Sequence, residues 1–348
     1  MQCIDADSHI VPRDWMKHME ESYTKQLPTY CFDNRGVLSQ ESNLENDPNP
    51  TSINSLPLVS HNSHSGRYDI GKRKEDLPML GIDLQILNPE EHAMRFSYLV
   101  ESEMARQMAY SYNRTVAEIV KHNKDKFAAT LLLPLQDMEW SLGEIHWGIL
   151  NGFNSIYIDT CWPVVEDPAS YPMADIPEIC RLFEYCQHRE ILVVAHAQSH
   201  HRFIKSRADT KKYRLKDLYP SQHKVSLISL VTSGLLDQYP QSRILICEGG
   251  MEFIKESLEY LIKIGITDPM RYFRENFYFT IETENTALLI ECIDLFGADR
   301  FLFATDYPHD DPGGAGRFED RSNMDQLGLD PSHPQLILSD NARRLFKL

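Results

Sequence analysis

The stretch IDADSHIVP, residues 4–12, sets Asp5, Asp7 and His9 on alternate positions directly after the first hydrophobic residues of the chain. A β-strand projects every second side chain to one face, so this spacing predicts that two carboxylates and an imidazole converge on one small volume. Like charges crowded there call for a compensating cation. The stretch also opens a series of eight short apolar runs. The others are LQILN at 84, FAATLLL at 127, NSIYID at 154, ILVVAH at 191, RILICE at 243, FYFTIE at 277 and RFLFAT at 300. Helical-period segments lie between them, among them YLVESEMARQMAYSYNRTVAEIVKHN and MADIPEICRLFEYCQHRE. Such alternation predicts parallel strands joined by right-handed crossovers. Eight units of this kind close into an α/β fold, a (β/α)8 TIM barrel with its active site at the C-terminal ends of the strands.

Those ends are polar. The runs finish in Asp7, Asn88, Asp159, His196, Glu248 and Glu282, and Asp306 follows the last. Any one of them is accounted for as a cap on the following helix, but together they exceed what capping explains. The segments DADSH, VVAHAQSHH (193–201) and FATDYPHDD (303–311) bring Asp7, His9, His196 and Asp306 within reach of the barrel axis. Two imidazoles with two carboxylates suit zinc, manganese or iron. His200 or His201 extends from the fifth strand toward the pocket, and His309 reaches substrate or packs on the rim. Asp7 has the alternative of orienting His9 from behind, and Glu248 of closing its strand against the amides of Gly249 and Gly250.

At 348 residues the chain fits one barrel domain spanning 1–348, with a long insertion after the first strand at 31–77 that folds as a lid or is mere decoration. His61, His64 and Arg67 are its candidate substrate contacts. A net charge of −16, with acids spread along the chain, argues against nucleic acid and anionic membranes as partners. Seven cysteines without zinc-ribbon or redox spacing read as reduced thiols, and no leader or membrane-spanning pattern is visible, so a cytoplasmic location is expected.

The ordered set IDADSH, LLLPLQD followed by GFNSIYI, ILVVAH, QYPQSRILICEGGMEFI, GADRFLFATDYPHDD and ILSDNARRLF resembles the amidohydrolase superfamily. The resemblance is to its amidohydrolase-related branch, which includes aminocarboxymuconate semialdehyde decarboxylase. It implies a distorted barrel with metal ligands at the ends of the first, fifth or sixth, and eighth strands. The first-strand His-x-His of many members is Asp7-Ser8-His9 here, while His196 and Asp306 match the fifth-strand histidine and the eighth-strand aspartate. The resemblance implies a sixth-strand histidine for acid/base work in decarboxylating relatives where this chain has Glu248, and its absence argues against simple decarboxylation. The implied centre is therefore Asp7, His9, His196, Glu248 and Asp306, holding one or two divalent ions.

The leading expectation is metal-dependent hydrolysis of a small amide, lactone or related carbonyl compound. A metal-activated water would be the nucleophile, with Asp306 or Glu248 accepting its proton and His200 lining the pocket. The alternatives are non-oxidative decarboxylation and oxygen-dependent monooxygenation at a dinuclear non-haem iron or manganese site. A barrel without turnover, serving as a binding partner, is the non-enzymatic reading. Superfamily members are often oligomers, so a homo-oligomer or a hetero-oligomer with a related subunit is expected.

Overall fold

The computed structural model describes residues 2–24, 30–32, 38–40, 65–90, 101–162, 171–197, 219–281, 285–309 and 320–348. Eight parallel strands follow the eight apolar runs: β1 (Ile4–Ile10), β2 (Leu84–Pro89), β3 (Phe127–Ala129), β4 (Ser155–Asp159), β5 (Leu192–His196), β6 (Arg243–Cys247), β7 (Phe277–Ile281) and β8 (Phe301–Phe303). Each pairs only with its sequence neighbours. Strands covered on both faces read as unbroken apolar runs, and β4, β5 and β7 are buried throughout.

Two seams join the ladder into a barrel of the TIM type. At the third run Thr130 interrupts the strand, donating its N–H to Leu87 O at 3.1 Å, and Leu131–Leu132 then pairs with β4. Between β8 and β1, His9 N donates to Tyr307 O at 2.6 Å, and the Thr305 N–H and hydroxyl donate to the two Asp5 oxygens at 3.1 and 2.6 Å.

Helices cover the barrel outside: α1 (Ile70–Leu80), α2 (Ser102–His122), α3 (Met138–Leu150), α4 (Ile179–Arg189), α5 (Tyr219–Thr232), α6 (Glu252–Lys263) and α7 (Thr286–Phe296). The spacing of Met104, Met108, Tyr112 and Val116 gives α2 one buried stripe. Helix α1 is bounded by Asp69, which accepts from Lys72 N, and by Gly81 at φ 69°. None of the described helices is long and apolar enough to cross a membrane.

Two expectations change in detail. β1 does not stop at Asp7 but runs to Ile10, with a register irregularity between Asp5 and Ser8. That irregularity breaks strict alternation, so Asp5 turns to Thr305 and Gln85 while Asp7 and His9 share the interior. The expected insertion also ends in ordered structure: the turn Ser65–Arg67 leads into α1. A Cβ on Gly66 would lie 1.6 Å from Tyr307 Oη, so only glycine lets this turn rest on the Tyr307 ring. Within the same insertion Tyr30–Phe32 pairs antiparallel with Leu38–Gln40, while His61 and His64 lie outside the described residues.

Candidate metal centre

The backbone around the site is built from polar cross-links between neighbouring strands. Asn88 Nδ2 donates to Asp7 Oδ1 at 2.6 Å and Thr130 Oγ1 donates to Asn88 Oδ1 at 2.8 Å, tying β1, β2 and the third run together. Beneath them lies Arg73 of α1, fully buried. Its guanidinium donates to Ser8 Oγ at 3.1 Å, Gln85 Oε1 at 3.2 Å and Gly66 O at 3.1 Å, and also to His9 O. The Tyr307 ring covers it, and Tyr307 Oη donates to Asp76 at 2.8 Å. A buried charge is tolerated only when paired and hydrogen-bonded, and here the donors reach oxygens on several elements at once.

Above this base, donors converge. His9 Nε2 is 3.5 Å from Asp7 Oδ1 and 3.1 Å from Asp306 Oδ1; His196 Nε2 is 3.9 Å from Asp7 Oδ2 and 3.4 Å from Glu248 Oε2. The rings of His9 and His196 meet edge to face at 5.0 Å. His9 Nδ1 faces Pro89 O at 3.4 Å and His196 Nδ1 faces Ala197 O at 2.5 Å, which leaves the Nε2 lone pairs for the centre. Glu248 and Asp306 stand just past β6 and β8 at φ 63° and 51°, a left-handed backbone uncommon for non-glycine residues. Glu248 N donates to Thr280 Oγ1 at 3.0 Å, which fixes that turn.

A third imidazole joins from the rim. His309 Nδ1 is 2.9 Å from Asp306 Oδ1 and Nε2 is 3.1 Å from Glu90 Oε1, while Arg67 Nη2 lies 3.4 Å from the same Glu90 oxygen. The His309 ring stacks on His9 at 5.0 Å.

Electrostatics describe a site short of positive charge. Burial alone would lower the His196 pKa, but Glu248, Asp7 and Asp306 push it up to about 10. Burial opposes the charge on His309 too, yet Asp306 and Glu90 lift it well above the ordinary imidazole value. Asp306 is held well below the carboxylate range, against its burial, by His309 and His9. Glu248 is pushed up to about 7, by burial first and then by the Asp306 charge.

Does this donor set fit a metal ion? Asp7 Oδ2, His9 Nε2 and Glu248 Oε2 are buried atoms that complete no hydrogen bond with a described residue. Buried polar atoms of that kind call for a partner. Mixed imidazole nitrogen and carboxylate oxygen suits a borderline dication such as zinc, manganese or iron. The donors fall into two groups, each with its ligand atoms within 4.8 Å of one another: Asp7, His9 and His196, and His9, Glu248, Asp306 and His309.

All five expected ligands therefore converge, whereas His200, His201 and Glu282 lie outside the described residues. Sequence reasoning overlooked Glu90, although an acid two positions past the run ending in Asn88 was a signal. It also overlooked His223 on α5. This imidazole is buried against Phe253, ring centroids 5.1 Å apart, and neither nitrogen completes a hydrogen bond with a described residue. A Cβ on Gly249 would lie 2.6 Å from His223 Cδ2, so the glycine makes room for the ring. Burial, reinforced by His196, drives its pKa down to about 3.

Comparison with known proteins follows the geometry. The gamma-resorcylate decarboxylase of Polaromonas sp. (strain JS666 / ATCC BAA-500) is 25% identical over 307 residues, covering 77% of this chain and 84% of the relative. A crystal structure of dihydroxybenzoic acid decarboxylase from Polaromonas sp. JS666, with bound manganese and the inhibitor 2-nitroresorcinol, superposes with a TM-score of 0.70 at 20% identity, covering 100% of this chain and 97% of that one. The 5-carboxyvanillate decarboxylase of Novosphingobium aromaticivorans DSM 12444, solved with manganese and 4-hydroxy-3-methoxy-5-nitrobenzoic acid, gives 0.73 at 18% identity, covering 100% and 96%. These likenesses support the barrel, and the relatives' names favour the decarboxylating alternative over the hydrolysis ranked first from sequence. The amidohydrolase family model, Amidohydro_2, matches residues 4–348, and the chain belongs to that family.

Proposed function

We propose that this protein is a metal-dependent, non-oxidative decarboxylase of a small carboxylic acid, with a hydroxylated aromatic or unsaturated acid as the substrate class. The observation that carries the reading is the convergence of Asp7, His9, His196, Glu248 and Asp306 at the barrel mouth. The decarboxylases named among the relatives support it. Asp7, His9, His196 and Asp306, with Glu248 beside them, would hold a divalent ion; when bound, it supplies a positive charge for the carboxylate and an adjacent oxygen of the substrate.

The chain's own groups have distinct tasks. Asn88 holds Asp7 as an anion facing inward, and the Pro89 and Ala197 carbonyls keep the His9 and His196 Nε2 atoms directed at the centre. Breaking the carbon–carbon bond releases carbon dioxide and leaves an electron pair on carbon, which must take up a proton. Relatives of this branch use a sixth-strand histidine there. Glu248 stands in its position, its Oε2 3.4 Å from His196 Nε2, and is the carboxyl group placed to deliver that proton. Tyr157 is buried, its ring centroid 5.7 Å from that of His196.

The test is a panel of dihydroxybenzoates, 5-carboxyvanillate and related acids incubated with the manganese-loaded protein. Carbon dioxide release without oxygen consumption, lost on chelation and strongly reduced in Glu248→Gln, is the expected result. Turnover of lactones or amides, with no carbon dioxide from any acid, would overturn it in favour of hydrolysis.

A further inference from the structure

Among the described residues three tyrosines are wholly buried: Tyr112, Tyr157 and Tyr307. Two of them place the hydroxyl on an acceptor of the protein. Tyr112 Oη donates to Ile10 O at 3.3 Å, and Tyr307 Oη to Asp76 Oδ2 at 2.8 Å. Tyr157 Oη completes no hydrogen bond with a described residue. Phenylalanine would fill the same space without a buried hydroxyl left over, so folding alone gives no reason for the oxygen.

The place of this ring in the barrel says where the hydroxyl belongs. Tyr157 on β4 is in register with Val194 on β5, two positions before the pair of Asp159 and His196, so it shares with His196 the face that points inward. Its ring neighbours both imidazoles of the centre, 6.4 Å from His9 in an edge-to-face arrangement and 5.7 Å from His196, centroid to centroid. Other polar side chains of the centre are committed: Asn88 to Asp7, Thr130 to Asn88, and Thr280 Oγ1 to the Glu248 N–H. Asp7 Oδ2 also completes no hydrogen bond with a described residue, so it and Tyr157 Oη are not paired with each other. On the metal-centre reading that carboxylate oxygen serves the ion. A phenol, whose ordinary pKa is about 10, keeps its proton near neutrality and is a donor there.

We propose that Tyr157 Oη donates a hydrogen bond to an oxygen of the substrate acid, either its carboxylate or the hydroxyl beside it. The inference rests on the function proposed above and adds to it a substrate contact that takes no part in holding the ion. Such a donor is neutral, so it grips an anionic oxygen without altering the charge of a mouth crowded with carboxylates. It also discriminates. A site built to hydrogen-bond an oxygen rejects the analogue that lacks it, because its own buried polar group is then left unpaired.

The experiment compares full-length, manganese-loaded wild type with Tyr157→Phe, using calorimetry to measure binding of 2-hydroxybenzoate and 2-methylbenzoate. The variant should hold Mn2+ within about twofold of wild type, because Oη is not a ligand. It should bind 2-hydroxybenzoate about 10–100-fold more weakly. An equal loss for 2-methylbenzoate assigns Oη to the carboxylate, whereas a loss confined to 2-hydroxybenzoate assigns it to the neighbouring oxygen. Metal-free Tyr157→Phe should unfold at the wild-type temperature or above it, since the change removes an unsatisfied buried hydroxyl. Unchanged affinity for 2-hydroxybenzoate, a matching fall in Mn2+ affinity, or a clearly lower unfolding temperature would overturn the assignment while leaving the proposed function standing. Wild type that binds neither acid would overturn the acid-substrate reading itself.

Discussion

The two sides of the barrel are held together by different physics. Around β1, β2 and the third run, the buried contacts are polar: Asp5 with Gln85 and Thr305, Asp7 with Asn88 and Thr130, and Arg73 beneath. Around β7 and β8 the packing between strands and the helices outside them is aromatic, with Phe273 stacked on Phe296 at 5.1 Å and Phe279 within 6.4 Å of Phe253, Phe277 and Phe301. Aromatic packing stabilises through area and fit and is indifferent to charge. The polar side stabilises only while every partner is present, and for that reason it can hold an anionic donor in one orientation. The proposed metal centre lies against the polar side, while the aromatic side serves as its frame.

The sharpest way to break this contrast is Arg73→Met. Removing one partner from a buried charged network costs about 3–5 kcal/mol. Because Arg73 also holds Ser8 and the His9 carbonyl, Mn2+ affinity should fall about 10–100-fold. Urea unfolding and calorimetry read the two effects separately, and unchanged affinity in the folded variant would remove the distinction. Phe279→Ala is the matched test on the other side. It should cost a similar 3–5 kcal/mol through cavity formation, yet leave Mn2+ affinity of the folded protein within a factor of two or so of wild type.

Acid sensitivity sharpens the contrast further, because His223 carries a titratable ring into apolar packing. Its folded pKa is about 3, against about 6.5 for an ordinary imidazole. Between those values the unfolded chain binds a proton that the folded one refuses, so stability falls as pH drops through this window. His223→Leu should flatten that part of the stability profile, measured by denaturant midpoints at pH 7 and pH 4. Asp5 works in the opposite direction: burial raises it to about 6, and its contribution is lost as pH rises through that value. A smaller effect is expected for Asn88→Ala. Loss of a donor to buried Asp7 should cost about 1–3 kcal/mol, with a modest loss of Mn2+ affinity. Smallest is Lys347→Ala, which removes an exposed pair with Glu190 and should change stability by less than about 1 kcal/mol.

What could be read from sequence follows from what is local. Apolar runs specify buried parallel strands, and each of the eight expected runs carries one. Donors at strand ends inherit their positions from those strands, so Asp7, His9, His196, Glu248 and Asp306 were accessible. Arg73 was not. It sits in GKRKED, which reads as a solvated charged face, and only contacts with Ser8 and Gln85 from other elements draw it inside. The departure of Asp5 from its neighbours depended on a register shift that alternation cannot foresee. The pairing of Glu90 with His309 spans 219 positions and carries no local signal. Ranking hydrolysis above decarboxylation failed to separate them for a related reason: both need the same cation donors, and they differ in which atom receives a proton.

The clasp between Asp5 and Thr305, 300 positions apart, has a consequence in time. At synthesis rates of about 5–20 residues per second, roughly 15–60 seconds separate the two residues on the ribosome. Throughout that interval the acids of the opening strand have no closing partner, and Asp306 does not yet exist to grip an ion. On the metal-centre reading, capture of the ion by these residues therefore waits until Asp306 has emerged, and any cellular factor delivering it would meet a chain that already carries all eight strands.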